Sequence, residues 1–431
     1  MPAEHHATTT VTIAYGSTGI AVELPADRTT VVSPKHQDPP APTAEILRGA
    51  LTDPVAGPPL RDVVRPGQTI AVSICDATRP QPRKDMVEAL LRELDGISTR
   101  DDFVLLVATG THRGNTDAEL RQMLGDDLVD TMRIVNHDGR DAASLTWVGT
   151  YGDDVPVWLN TAWVEADVRI TTGFVEPHFF AGFSGGPKLV APGLAGLQTV
   201  LTLHDAARIG DERATWAVCE GNPVHDDVRA IAQATGVDYA FDVVLNREHQ
   251  VVRAFGGSVL EMHAVAREVV RELSMQPVPQ LFDVVVTSNS GYPLDQNVYQ
   301  TVKGMSAAAT VVKPGGLIIC VAECRDGFPD HGSFREVLAS EDTPEQLLEA
   351  ISARTQTVPD QWQVQVLARV LAKARVGMHT TSLSDEQLRT AHLFLVEDVA
   401  EAVTVELERV GPDARVCVLP EGPQTIPYVA S

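Results

Sequence analysis

Cysteine is scarce in this chain: Cys75, Cys219, Cys320, Cys324 and Cys417 are the five among 431 residues. So sparse and odd a set makes no disulfide framework, and a reducing compartment fits it. Cys320 and Cys324 lack the second pair that a thiolate metal site would need. Long apolar runs are missing too, none reaching the roughly 18 residues of a membrane span. The opening MPAEHHATTT has neither the basic nor the apolar part of a secretory signal. The chain therefore reads as cytoplasmic, with no membrane association. Basic residues are outnumbered, 34 against 58 acidic ones, for a formal charge of -24. That field repels nucleic-acid phosphates and anionic lipids, which excludes nucleic acid as the expected partner.

What is present is enough apolar residue, 44%, to bury one or more substantial cores. Short β-rich runs end at polar clusters: TIAVSIC before Asp76, FVLLVA before GTHR, MRIVNH before Asp138 and ADVRITT before GFVEPH. Helical patterns such as RKDMVEALLREL follow some of them, and Thr116 with Glu119 forms a capping box for DAELRQML. The alternation predicts α/β architecture with largely parallel sheets, whose ligands bind beyond the carboxyl ends of the strands. A second series begins at FDVVVTSN and continues through NVYQTVKGMSAAATVV, GGLIICVAE, EQLLEAISA, VQVLARVLAKA and HLFLVE. With SMQPVPQ as linker, the expected domains are 1–279 and 280–411, the tail 412–431 being left open as a completion of the first. The active site is expected in the cleft between the two α/β domains.

The chemistry concentrates in GFVEPHFFAGFSGGPKLVAPG, residues 173–193, where five glycines argue against an ordinary helix or strand interior. His178 sits there beside Glu176, Phe179 and Phe180; a histidine satisfied within an aromatic cluster is the equal alternative. Lys188 follows Gly185 and Gly186 in SGGPK, which lacks Walker spacing. Partial desolvation there would make it a nucleophilic amine, against the plainer role of a snorkelling surface lysine. Asp76 and Arg79, in DATRP, offer a carboxylate and a planar donor fork, although a helix cap with a surface ion pair is commoner for such a segment alone. His112 in GTHR can exchange a proton near neutrality, yet a lone histidine is more often structural. His204 in LTLHDAAR could ligate a metal or pack at a helix start, and no HxxxH motif surrounds it. Gln300 and Lys303 share one helix face, suited to an anionic substrate or to plain solvation.

In their order, DATRP, ATGTHR, NHDG, the 173–193 segment, His204 and PLDQNVYQTVKG resemble the nickel-dependent lactate racemase family over most of the chain. The resemblance implies a nickel-pincer nucleotide, a pyridinium-derived mononucleotide whose thio-substituents hold Ni(II), attached covalently through Lys188. It implies His204 as the protein's ligand to nickel, His112 and His178 as paired acid/base residues, and Asp76, Gly185 and Gly186 around the cofactor. By the same match Arg79, Gln300 and Lys303 bind substrate, with Phe180 and Trp362 as an apolar wall. The expected activity is inversion at C2 of a 2-hydroxycarboxylate by reversible hydride transfer, and cofactor maturation enzymes are the expected protein partners. Two other readings stay open: a zinc-dependent hydrolase or lyase with His112, His178 and His204 as ligands, and a non-catalytic homologue that only binds ligand.

Overall fold

The computed structural model describes residues 7–329 and 332–430. They form two compact units that interleave along the chain: residues 36–204 with 211–271, and residues 7–35 and 205–210 with the described residues from 272 onward.

The first of these is built on a six-stranded sheet in the order Val251–Gly257, Tyr239–Leu245, Val168–Phe174, Ile70–Cys75, Phe103–Ala108, Arg133–Asn136. Adjacent pairs are parallel except the edge hairpin of Val251–Gly257 with Tyr239–Leu245. The central strands are buried along their length and read as unbroken apolar runs, as expected of a sheet covered on both faces. One face packs Leu47, Leu51, Met86 and Leu90 against Ile70, Val72 and Leu105. On the other, Trp163, Val190, Leu194, Leu203 and Ile231 pack against Ala71 and Leu106. The expected strands and the helix Arg83–Glu93 are where the sequence patterns put them, and Thr116 caps the helix Asp117–Leu124 with both hydrogen bonds of its box formed.

The other unit carries an all-parallel sheet, Phe394–Leu395, Arg375–His379, Val312–Val321, Phe282–Ser288, Val416–Leu419, Thr29–Val31. Three differences from the sequence expectation have physical reasons. Residues 7–35 belong to this unit, because Thr29–Val31 pairs with Val416–Leu419 and Ile13, Val22 and Leu24 pack on Val286 and Val418. The tail does not complete the 36–271 unit; it supplies a central strand here. The SMQPVPQ segment is not a bare linker, since Met275–Val278 pairs with Ile426–Val429 in a two-stranded ribbon where Pro277 is tolerated. Partners more than a hundred residues away decide all three. The HLFLVE run forms only the two-residue strand Phe394–Leu395, and the preceding Arg375–His379 is the longer strand.

Among the described residues no helix is long and apolar enough to cross a membrane. All five cysteines are buried and unpaired as thiols.

Candidate active site

The loops that leave Cys75, Ala108, Asn136 and Phe174 all start at the carboxyl edge of one parallel sheet, the edge where ligands bind in such folds. Neighbouring strands therefore bring DATRP, GTHR, NHDG and the 173–193 segment side by side. The loops are also tied to one another. Gly110 N–H donates to Gly193 O at 3.0 Å, and Ser73 Oγ donates to Leu189 O at 2.8 Å.

Asp76 sits just past the strand Ile70–Cys75, 3% exposed, with Oδ2 2.6 Å from His112 Nδ1. Burial works against ionisation there, but the His112 hydrogen bond and charge, together with Arg79, hold the carboxyl down at about 2. An ionised carboxylate can only accept, so His112 carries its proton on Nδ1 and presents the lone pair of Nε2 outward. The Asp76 loop is itself pinned by Arg83, whose guanidinium donates to the carbonyls of Cys75, Asp76, Arg79 and Gln81. Gln81 adds a second tie, its Oε1 accepting from Cys75 N–H at 2.8 Å. Neither Arg83 nor Gln81 was marked by the sequence reading; the only signal was a second arginine four residues after Arg79.

Phe180 is the hub of the glycine-rich segment. Its ring centroid lies 4.5 Å from that of His178 and 5.3 Å from that of His204, and Lys188 Nζ lies 5.8 Å away. Two residues of the 173–193 segment and His204 beyond it thus surround one aromatic ring. His178 Nδ1 accepts from the amides of Phe180 and Ala181, at 3.5 and 3.3 Å, which puts the proton of its neutral form on Nε2. His204 caps the helix Leu197–Leu203; its Nδ1–H donates to Val200 O at 2.7 Å, which leaves the lone pair of the neutral ring on Nε2. Lys188 lies in the short 3-10 turn Gly186–Leu189.

NHDG plays a bracing part. His137 is buried, held by Ala195 O at 2.9 Å, while Thr109 Oγ1 donates to His137 O. Arg113 of GTHR turns to Glu119 in a two-point ion pair, away from any shared role with His112. In the other unit, Lys303 Nζ donates to Gln300 Oε1 at 3.1 Å on the helix Val298–Ala309. Trp362 is buried at the start of Gln361–Lys373, a helix joined to Tyr299 through Gln363. Among the described residues no three His, Cys, Asp or Glu side chains are grouped to hold a metal ion. The three-histidine zinc alternative therefore has no such ligand group among the described residues.

The chain matches the lactate racemase N-terminal domain over residues 15–217 and the lactate racemase C-terminal domain over 278–426. It is 35% identical over 420 residues to a lactate racemase of Thermoanaerobacterium thermosaccharolyticum, covering 96% of this chain and 98% of that one. It belongs to the lactate racemase family. A lactate racemase of Lactiplantibacillus plantarum is likewise 35% identical, over 88% of this chain and 89% of its own length. The solved apoprotein of the Thermoanaerobacterium lactate racemase superposes with a TM-score of 0.92 at 34% identity, covering 97% of this chain and all of that one. A Thermotoga maritima protein at 19% identity and TM-score 0.67, covering 92% of this chain, shares the fold. Membership places the chain among the isomerases, as a racemase, and the mixed α/β architecture with parallel sheets agrees with the sequence expectation.

Proposed function

We propose that this racemase inverts C2 of a 2-hydroxycarboxylate, lactate or a close relative, with His112 and His178 as its acid/base pair and a nickel-pincer nucleotide as resident cofactor. The observation that carries the reading is the opposite tautomers of the two histidines. His112, with Nδ1–H held by Asp76, offers a lone pair at Nε2, while His178, accepting at Nδ1, offers a proton at Nε2. Inversion through a planar 2-oxo acid needs one group to take the hydroxyl proton as a hydride leaves C2, and another, on the other side, to return a proton to the oxygen as the hydride comes back to the opposite face; the two exchange roles in reverse.

The residues present fit the implied cofactor. His204 Nε2 is a single soft-enough donor for Ni(II), and a metal held by one protein ligand must draw its other donors from a group that brings them. Lys188, 5.8 Å from the same Phe180 ring, is placed to anchor such a group. Gly185 and Gly186 pack so closely on their neighbours that a Cβ at either would lie 2.6 Å from a side-chain atom. Bound there, such a group supplies a reversible hydride acceptor, which spares the protein a direct carbanion at a weakly acidic C–H. The chain's own work is to bind, orient and move protons. His112 takes the hydroxyl proton of one enantiomer and His178 that of the other, Asp76 steadies the imidazolium of His112, and Phe180 with Trp362 forms apolar walls. Arg79, Gln300 and Lys303 are the proposed carboxylate ligands, the Gln300 contact holding the Lys303 ammonium in place.

Co-expression with cofactor maturation enzymes, then a chiral assay over a panel of 2-hydroxyacids and intact-mass measurement, tests the proposal. Racemisation with a nickel requirement and a mass adduct on Lys188 is expected. Inversion without nickel or adduct would overturn the cofactor assignment. A loaded protein inactive on the whole panel would favour the ligand-binding homologue.

A further inference from the structure

The structure assigns Asp242 and His263 as positioning residues that set the backbone of Gly185 and Gly186 and so aim Lys188; this rests on the reading of Lys188 as the cofactor's anchor.

Both residues approach the loop from behind. Asp242 lies on the strand Tyr239–Leu245, opposite Gly173 in register, and is 0% exposed. His263 lies on the helix Val259–Ser274 and is 2% exposed. Their polar atoms grip the two sides of the glycine pair. Gly186 N–H donates to Asp242 Oδ2 at 2.6 Å, and His263 Nε2–H donates to Ser184 O at 2.8 Å. Between these two bonds the backbone takes φ of 76° at Gly185 and 50° at Gly186, conformations that favour glycine.

The packing leaves no alternative setting. A Cβ at Gly185 would lie 2.6 Å from Asp242 Oδ2, and one at Gly186 would lie 2.6 Å from His263 Cγ. Two glycines, a carboxyl and an imidazole thus interlock, and the turn that carries Lys188 begins at Gly186. The loop's front edge is fastened separately, Ser184 Oγ donating to Phe174 O and accepting from Glu176 N–H. With both edges held, the direction in which the Lys188 stem leaves is set by the two left-handed residues.

The choice of residue types supports the assignment. Burial pushes the Asp242 carboxyl up to about 7, despite the backbone donor from Gly186, so an acid here costs stability that an apolar side chain would not. His263 stacks at 5.9 Å on His225, whose Nε2 lies 3.3 Å from an Arg267 guanidinium nitrogen. Buried polar groups in such a wall are explained by what they hold, and here they hold the loop.

The experiment uses the full chain, matured and unmatured, as wild type, Asp242→Asn, Asp242→Ser, His263→Leu and Leu47→Ala. Leu47 is fully buried in the core on the sheet face of Phe241 and Val243, opposite that of Asp242, and controls for general destabilisation. Asn keeps an acceptor for Gly186 N–H; Ser is too short to reach it. Expected in matured protein is wild-type adduct in Asp242→Asn and Leu47→Ala, and a loss of about tenfold or more in Asp242→Ser and His263→Leu, as displacement by a fraction of an ångström removes a reacting amine from reach. In unmatured protein, amide hydrogen exchange across residues 182–190 should quicken in the last two only. Wild-type adduct and wild-type exchange in both would overturn the assignment. Wild-type chain lacking any adduct would instead sink the Lys188 reading, and the exchange data alone would then decide whether Asp242 and His263 hold the loop. Should one variant fail to fold, the other decides.

Discussion

Asp76 Oδ2 and His112 Nδ1 meet at 2.6 Å although 36 residues separate them in sequence. The contact chooses the tautomer, and with it which nitrogen of His112 can act as base. Asp76→Asn keeps the shape but removes the charge that steadies an imidazolium, so kcat should fall by about 100-fold or more. Enantiomers have equal free energy, hence kcat/KM must drop equally in both directions. A chiral assay started from each enantiomer checks both statements.

Replacing His112 or His178 by alanine should each lower turnover by about 100-fold or more, since each variant lacks the proton carrier for one enantiomer. Near-normal kcat in both would remove the pair from the mechanism.

His204→Ala separates metal from anchor. In matured protein the Lys188 mass adduct should persist while nickel, read by elemental analysis, falls well below one equivalent per adduct, because the lost imidazole is the only ligand the chain is proposed to supply. Full nickel content in the variant would show that another atom binds it.

Lys303→Ala removes a charged donor already oriented by Gln300, which should raise KM for the hydroxyacid about tenfold or more, the usual cost of a lost bond to a charged group. Unchanged KM would place the carboxylate elsewhere.

Two buried carboxyls should give stability profiles of opposite sign. Asp76 is depressed to about 2 from 3.8, so its contribution, about 2 kcal/mol, is present above pH 4 and lost as pH falls through 2. Asp242 is raised from 3.8 to about 7, so the folded state holds a proton that the unfolded chain has released, and stability falls as pH rises from 4 through 7 by up to about 4 kcal/mol. Denaturant melts across pH 2 to 8 should show Asp242→Asn gaining on wild type with rising pH. Asp76→Asn should instead close its deficit against wild type as pH falls from 4 toward 2. Parallel curves would refute both.

Local pattern made most of the 36–271 unit legible. Apolar runs such as FVLLVA are buried strands because nothing else absorbs six consecutive apolar residues, and a polar loop after each marks the ligand edge. His112, His178, Lys188 and His204 were singled out for their residue types in glycine-rich or strand-end settings, and the Phe180 hub joins three of them. Arg83, Asp242 and His263 escaped notice because their tasks are to hold backbone atoms of other segments, and no local spacing records that.

The amino-acid order by itself determined the α/β class and the four motif loops, since these follow from short-range periodicity, while the proposed roles of Lys188 and His204 came from the family resemblance. Tertiary structure alone decided that Thr29–Val31 joins the C-terminal sheet, that Asp76 grips His112, and that Asp242 and His263 bond to the backbone of Gly186 and Ser184. Those outcomes depend on strand pairing and side-chain contacts between segments tens to hundreds of residues apart, and such contacts exist only once the chain has closed its loops.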